Sequence, residues 1–200
     1  MHINTTSGVN LNKYPSLKEP KGKIIFLFAS RILKDKGIRE LIEASIKLSK
    51  VSKKFQLIIA GKIDSENPSS ISHEEIKSWS VYNHINYVGH INDMNSLYKK
   101  THIAVLPSYR EGLPKGLLEA AAHGKPIITT NVTGCRDVVI NGKSGIVVEP
   151  KNSEELFIAM KKMIQNKKMR LRMGKEGKIL IKNKFLIDNA IGNLLKLYKN

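Results

Sequence analysis

The sequence predicts an α/β fold built on a doubly wound parallel sheet, and three features carry that expectation. Short apolar runs such as IIFLFAS (Ile24–Ser30) and FQLIIAG (Phe55–Gly61) lack the alternation of a half-exposed strand, as strands buried on both faces do. Segments of helical period lie between such runs. The connections are short and marked by Gly or Pro, as successive βαβ units require.

The elements follow in order. After the strand Ile24–Ser30, the segment Gly37–Lys50 carries Ile38, Leu41, Ile42, Ile46 and Leu48 near the spacing of one helix face. Phe55–Gly61 is a second buried strand closed by glycine. Ser72 and Glu75 form a capping box opening a helix through Trp79. Ile85–Gly89 reads as a short strand, Met94–Lys100 as a short helix, and His102–Ser108 as a strand halted by Pro107. Leu113–Gly124 is a helix with Pro114 in its first turn and Gly124 as its stop. Lys125–Thr130 and Ser144–Pro150 are strands around a loop and short turn, TGCRDVVINGK. Asn152 and Glu155 make a second capping box, and residues 152–200 are expected to be helical.

Composition narrows the function classes. Two hundred residues, 41% of them hydrophobic, suit one domain with one core. No apolar run approaches the roughly 20 residues of a membrane span. The first residues, MHINTTSGVNLNKYPS, lack a charged-then-apolar leader, and Cys135 is the only cysteine, so a reducing, cytoplasmic setting is expected. The net charge of +17 fits nucleic acid, an anionic membrane surface or a phosphorylated small molecule, and equally a solvated lysine-rich helix face. No basic patch interleaved with aromatics supports nucleic acid, which is not an expected partner.

In a doubly wound sheet, ligands bind beyond the carboxyl ends of the strands. The informative loops therefore follow Ser30, Gly61, Gly89, Pro107 and Thr130. In the first, Arg31 and Lys36 flank a helix start; they read as a diphosphate notch or as two surface cations. The loop is not glycine-rich, which removes support from dehydrogenase and P-loop readings. After Pro107 come Glu111 in the loop and Glu119 within the apolar helix run Leu117–Ala122, where a carboxylate is usually paired or functional. Gly112 and Gly116 permit close approach of a ligand or of backbone. Glu119 suits the hydroxyls of a ribose, and Glu111 suits sugar hydroxyls or positive charge growing at an anomeric carbon. The six histidines show no metal-ligand spacing and are expected at the surface or in loops, with His90 a candidate for a base pocket. Cys135 and Trp79 are expected to pack.

The segment Ser108–Pro126, with Glu111 and Glu119 eight positions apart, resembles the E-(seven residues)-E signature of the retaining glycosyltransferase family 4. The Arg31–Lys36–Gly37 spacing resembles that family's diphosphate-binding pair. Ser7–Asn10, Tyr87–His90, Leu106–Ser108, Lys125–Ile128 and Gly145–Val148 match in the family's order, so the resemblance covers residues 7–200. Ser108–Pro114, Gly134–Val139 and Glu66–Pro68 are similar to bacterial undecaprenyl-linked N-acetylgalactosaminyltransferases of capsule, O-antigen and glycoprotein-glycan assembly, within cell-surface polysaccharide biosynthesis.

The resemblance implies the single C-terminal lobe of a GT-B glycosyltransferase. Residues 1–20 would be the interlobe junction, with Asn10 where the family usually has Asp, and residues 21–200 the Rossmann-like nucleotide-sugar-binding domain. It implies a UDP-linked sugar as donor, transfer with retention, and no cofactor or metal. Arg31, Lys36 and Glu111 would be catalytic; Glu119, Gly112, Leu113, Pro114, His90, Gly61, Thr133 and Gly134 would bind the donor. The acceptor would be lipid-linked, on a polyprenyl carrier, or a polysaccharide, with peripheral contact at the inner membrane face. An N-terminal lobe in another chain would complete the enzyme, and this chain alone would be inactive. The rival expectation is a catalytically incomplete nucleotide-sugar-binding module from a split or truncated gene.

Overall fold

The computed structural model of the chain describes residues 9–15 and 17–186. Six parallel strands form one sheet: β1 (Ile24–Ala29), β2 (Phe55–Ala60), β3 (Ile85–Gly89), β4 (Ile103–Leu106), β5 (Ile127–Thr130) and β6 (Gly145–Val148). Their spatial order is β3-β2-β1-β4-β5-β6, so the chain winds outward from β1, returns to the middle, and winds outward the other way. The order reverses between β1 and β4, where Phe26 pairs with Ile103. Phe26, Leu27 and Phe28 in β1 are buried, as expected of an unalternated run covered on both faces.

Among the described residues seven α-helices flank the sheet: α1 (Ile38–Val51), α2 (His73–Ser78), α3 (Met94–Lys100), α4 (Lys115–Ala122), α5 (Thr133–Val138), α6 (Ser153–Gln165) and α7 (Lys167–Lys184). Right-handed crossovers put the helices leaving β1 and β2 on one face and those leaving β3, β4 and β5 on the other. The last two helices complete these layers, α6 packing on α1 and α7 on α4. Gly174 makes the second contact possible, since a Cβ there would stand 2.0 Å from the Gly124 carbonyl oxygen.

Several expectations need correction. The segment expected as loop and short turn contains α5, because Gly134, Cys135 and Val138 are buried and packing outweighs the weak helix propensity of Thr-Gly-Cys. Pro114 precedes α4 as its N-cap, with extended backbone, and is not in its first turn. Residues 153–184 form two helices, broken at Asn166, whose side chain accepts from the Met169 N–H at 2.9 Å. Residues 187–200 lie outside the described residues, as do Ser7 and Gly8. Ser72 accepts from the Glu75 N–H, but the Glu75 carboxylate turns to Arg39 (2.7 and 2.8 Å), a stronger partner than a backbone N–H.

Two histidines expected at the surface are core residues. His102 Nδ1 accepts from the Ile25 N–H at 3.0 Å and Nε2 donates to the Pro20 carbonyl at 3.0 Å. His123 lies between the Pro15 carbonyl (3.2 Å) and the Asn95 amide (2.9 Å). Both rings find two polar partners, which removes the cost of burying them, and desolvation lowers both pKa values.

The segment before β1 is strapped to the second helix layer. Val9 N–H donates to Phe185 C=O at 2.7 Å, and Glu19 meets Arg170 through two hydrogen bonds of 2.9 Å each. Arg170, 3% exposed, also donates to the last carbonyls of α6 at Met163 and Ile164 (2.6 and 3.0 Å). One guanidinium thus joins strap, α6 and α7. Burial pushes the Glu19 carboxyl up, but Arg170's hydrogen bonds and charge, with His102 and Lys167, outweigh it and hold the pKa low. Burial pushes the nearby Lys125 amine down to about 8.

Arg170→Leu is expected to cost about 3–5 kcal/mol in urea unfolding, because it strands the Glu19 charge in a buried site. A carboxyl with a lowered folded pKa contributes stability above its unfolded pKa, about 4.3 for Glu, and that stability is lost as pH falls through the folded value. Glu19→Gln should therefore lower stability at neutral pH and flatten the loss between neutral and acid pH.

Candidate functional site

The loops after β1 and β4 meet at the carboxyl edge, across the point where strand order reverses. The Asp35 carbonyl accepts from the Tyr109 N–H at 2.8 Å and from Ser108 Oγ at 3.1 Å. Gly37, at φ 69°, sits against Pro107; a Cβ would stand 1.9 Å from the Pro107 carbonyl oxygen. Glycine is required here twice, by conformation and by contact. This crossing brings Lys36 to Glu111: Nζ lies 2.8 Å from Oε1, and the side chains are only 11% and 12% exposed. Arg31 pairs with Asp64 at 3.1 Å, with side chains 58% and 33% exposed.

Beside this crossing opens a cleft of about 380 Å³. Its walls come from the ends of β1 and β2 (Ala29, Ser30, Arg31, Ala60, Gly61, Lys62), the loop after β3 and the start of α3 (His90, Ile91, Met94) and one side of α4 (Lys115, Gly116, Glu119). Glu119 is 15% exposed in its side chain; Oε1 lies 3.4 Å from the Tyr14 hydroxyl and 3.7 Å from Lys115 Nζ. The Lys115 and Gly116 N–H groups stand at the start of α4, where a helix leaves its first donors free of intrahelical partners.

The structure thus gathers Arg31, Gly61, His90 and Glu119 on one cleft, with Lys36 and Glu111 paired outside its lining. Gly112 has negative φ and open space where a Cβ would be, so neither its own backbone nor a neighbour demands glycine; close approach of a ligand would. Leu113 and Pro114 lead from it into α4. Gly134 is different: a Cβ there would stand 1.8 Å from the Gly112 carbonyl oxygen, so α5 buttresses the Glu111–Gly112 loop from behind, with Thr133 exposed at its start. Gly61 likewise packs on the Ser30 carbonyl. Cys135 is buried beside this loop and desolvation raises its pKa, which keeps it an unreactive thiol. Trp79 is buried in the core.

Sequence reasoning did not single out Lys62, Ile91, Met94 and Lys115, although each stands in or beside a loop flagged as ligand-binding. Tyr14 had no signal at all, since its partner Glu119 is 105 residues away in sequence.

Residues 11–179 match the family described as glycosyl transferases group 1. The chain is 32% identical over 158 residues to the capsular polysaccharide biosynthesis glycosyltransferase CapM of Staphylococcus aureus, covering 79% of this chain and 41% of that protein. It is 32% identical over 181 residues to the N,N'-diacetylbacillosaminyl-diphospho-undecaprenol alpha-1,3-N-acetylgalactosaminyltransferase of Campylobacter jejuni, covering 84% of this chain and 46% of that protein. The chain therefore spans less than half the length of either relative. Among solved structures, the C-terminal domain of a glycosyl transferase group 1 protein (LpcC) of Francisella tularensis superimposes with a TM-score of 0.76 at 25% identity, covering 90% of this chain and all of that one. Anabaena HepE in complex with UDP and glucose superimposes with a TM-score of 0.84 at 18% identity, over 96% of this chain and 55% of that one, which shows a shared fold.

The nearly buried Lys36–Glu111 pair makes a prediction independent of any ligand. Lys36→Met should cost about 1.5–3 kcal/mol, as for a hydrogen bond to a charged group, because Glu111 then stays enclosed without its partner. The double variant Lys36→Met/Glu111→Leu should recover much of that loss, which a double-mutant cycle in urea measures.

Proposed function

The chain belongs to the group 1 glycosyl transferases, and on that premise we propose that it is the donor-binding domain of a retaining, family 4 enzyme that uses a UDP-linked sugar. The observation that carries this reading is a single one. A cleft at the point where strand order reverses has a carboxylate, Glu119, on one wall, Arg31 on another, and the Lys36–Glu111 pair beside it. The bound UDP of the HepE structure and the naming of the two curated relatives as sugar transferases support it.

In this reading the nucleoside lies in the 380 Å³ cleft, its base near Gly61 and His90 and its ribose hydroxyls on Glu119. The diphosphate lies against Arg31, Lys36 and the backbone of Gly112, Leu113 and Pro114. Arg31 can exchange the exposed carboxylate of Asp64 for a phosphate at little cost, since exposed ion pairs contribute roughly 0–1 kcal/mol. Lys36 neutralises charge as the sugar–phosphate bond breaks, and Glu111, released from Lys36, faces the sugar. Thr133, at the exposed start of α5, stands near the sugar with Gly134 behind it. Cations at the diphosphate supply directly the neutralisation a divalent metal would give, so the reaction proceeds without metal.

The acceptor is polyprenyl-linked, by analogy with the undecaprenol-linked substrate in the name of the Campylobacter relative. Chain beyond these 200 residues, in this polypeptide or another, holds that acceptor; the partial coverage of the relatives supports this. Without it the domain binds donor and transfers no sugar, because positioning both reactants is most of the catalytic task. Peripheral contact with the inner membrane face is supported by Lys21, Lys23, Lys50, Lys53, Lys54, Lys161, Lys167 and Lys168. All are exposed, and among the described residues none forms an ion pair.

Calorimetry with UDP and a panel of UDP-sugars in the presence of a chelator tests the reading. Binding should persist without metal, and Arg31→Ala or Lys36→Ala should each weaken it by ~1.5–3 kcal/mol. Glu119→Ala should weaken UDP and UDP-sugars alike, whereas Glu111→Ala should affect the sugars and spare UDP. Unchanged affinity in both cation variants removes the diphosphate assignment.

A further inference from the structure

We infer that Tyr14, on the strap ahead of the domain, is a positioning residue for the nucleotide: it holds Glu119 so that one carboxylate oxygen faces the ribose. The inference rests on the ribose assignment of Glu119 made above and adds to it a residue from outside the carboxyl-edge loops of the sheet.

The geometry points one way. Both protein contacts of the Glu119 carboxylate fall on Oε1, the Tyr14 hydroxyl at 3.4 Å and Lys115 Nζ at 3.7 Å. Oε2 has no protein partner among the described residues, and Glu119 lines the cleft. Lys115 is 85% exposed in its side chain, and a lysine on a long solvated stem fixes nothing well. Tyr14 is different, because the strap is fixed at this residue by three contacts. Lys178 Nζ donates to the Tyr14 carbonyl at 3.1 Å, His123 Nδ1 lies 3.2 Å from the Pro15 carbonyl, and the Tyr14 ring meets the His123 ring edge-on at 5.2 Å. His123 is itself buried against Tyr98, whose hydroxyl donates to the Gly116 carbonyl in the first turn of α4 at 2.9 Å. A row of three rings thus runs from the strap to the start of the helix that carries Glu119.

A phenol held in this way directs the carboxylate before any ligand arrives. Burial, then the Glu119 charge and hydrogen bond, push the Tyr14 hydroxyl's pKa up, so it stays a neutral donor. At 3.4 Å its contact with Glu119 Oε1 is a loose hydrogen bond.

The test is calorimetry of the 200-residue chain with UDP and with 2′,3′-dideoxy-UDP, which lacks the hydroxyls Glu119 would accept. Tyr14→Phe keeps the ring against His123, and its thermal midpoint should match the parent's. It should weaken UDP roughly three- to tenfold, the size of one hydrogen bond, and leave the dideoxy ligand unchanged. Glu119→Gln should weaken UDP further and also spare the dideoxy ligand. Added to Glu119→Gln, Tyr14→Phe should change nothing more, because the carboxylate it positions is gone. Equal weakening of both ligands by Tyr14→Phe, or additivity with Glu119→Gln, overturns the positioning role and leaves the ribose assignment standing. If Glu119→Gln leaves UDP affinity intact, the ribose assignment falls and this inference falls with it.

Discussion

Two loops that leave different strands, β1 and β4, must touch at the carboxyl edge with no side chain between them, and the candidate site is built around that contact. At Gly37 the backbone turns with positive φ directly against the Pro107 carbonyl. The Asp35 carbonyl then takes two donors from the other loop, Ser108 and Tyr109. A Cβ at position 37, 1.9 Å from the Pro107 carbonyl oxygen, would push apart the two loops that bring Lys36 to Glu111. On the far side, Gly134 repeats the arrangement by setting α5 against the Gly112 carbonyl. The loop that bears Glu111 is therefore pinned from both sides, while Gly112 itself faces open space.

Three of the site's charged side chains have partners before a ligand binds. Lys36 is held by Glu111, Arg31 by Asp64, and Glu119 is shared by Tyr14 and Lys115. These pairs differ in what it takes to break them. Arg31–Asp64 is exposed and screened, so an incoming phosphate competes easily. Lys36–Glu111 is nearly enclosed, and separating it is worthwhile only if both charges find new partners at once. A ligand that carries an anion and a row of hydroxyls offers both, and this is the chemistry of a nucleotide sugar.

Some of the charged residues follow the direction of the helices. In a parallel α/β domain the crossover helices start at the carboxyl edge and end at the amino edge. Acids favour helix starts and lysines favour helix ends, as Glu74, Glu75, Glu154 and Glu155 and then Lys50, Lys99 and Lys100 show. Arg170 is the exception to the reading of the C-terminal basic residues as a solvated face. It is buried, and it clamps the strap, α6 and α7 together.

The strands and the crossover helices α1, α3 and α4 were legible in the sequence. Those features rest on local periodicity and on Gly and Pro, which act over a few residues. The E-(seven residues)-E segment and the Arg31–Lys36 spacing stood out in the sequence through their resemblance to a family pattern, which is equally local. The tertiary structure alone decided four things: that TGCRDV is a helix, that His102 and His123 are core residues, that Arg170 meets Glu19, and that Tyr14 reaches Glu119. Each depends on partners brought together from distant parts of the chain, separated by as many as 151 residues in the case of Arg170 and Glu19. No local pattern encodes such a meeting; the sheet order, which sets what lies beside what, does.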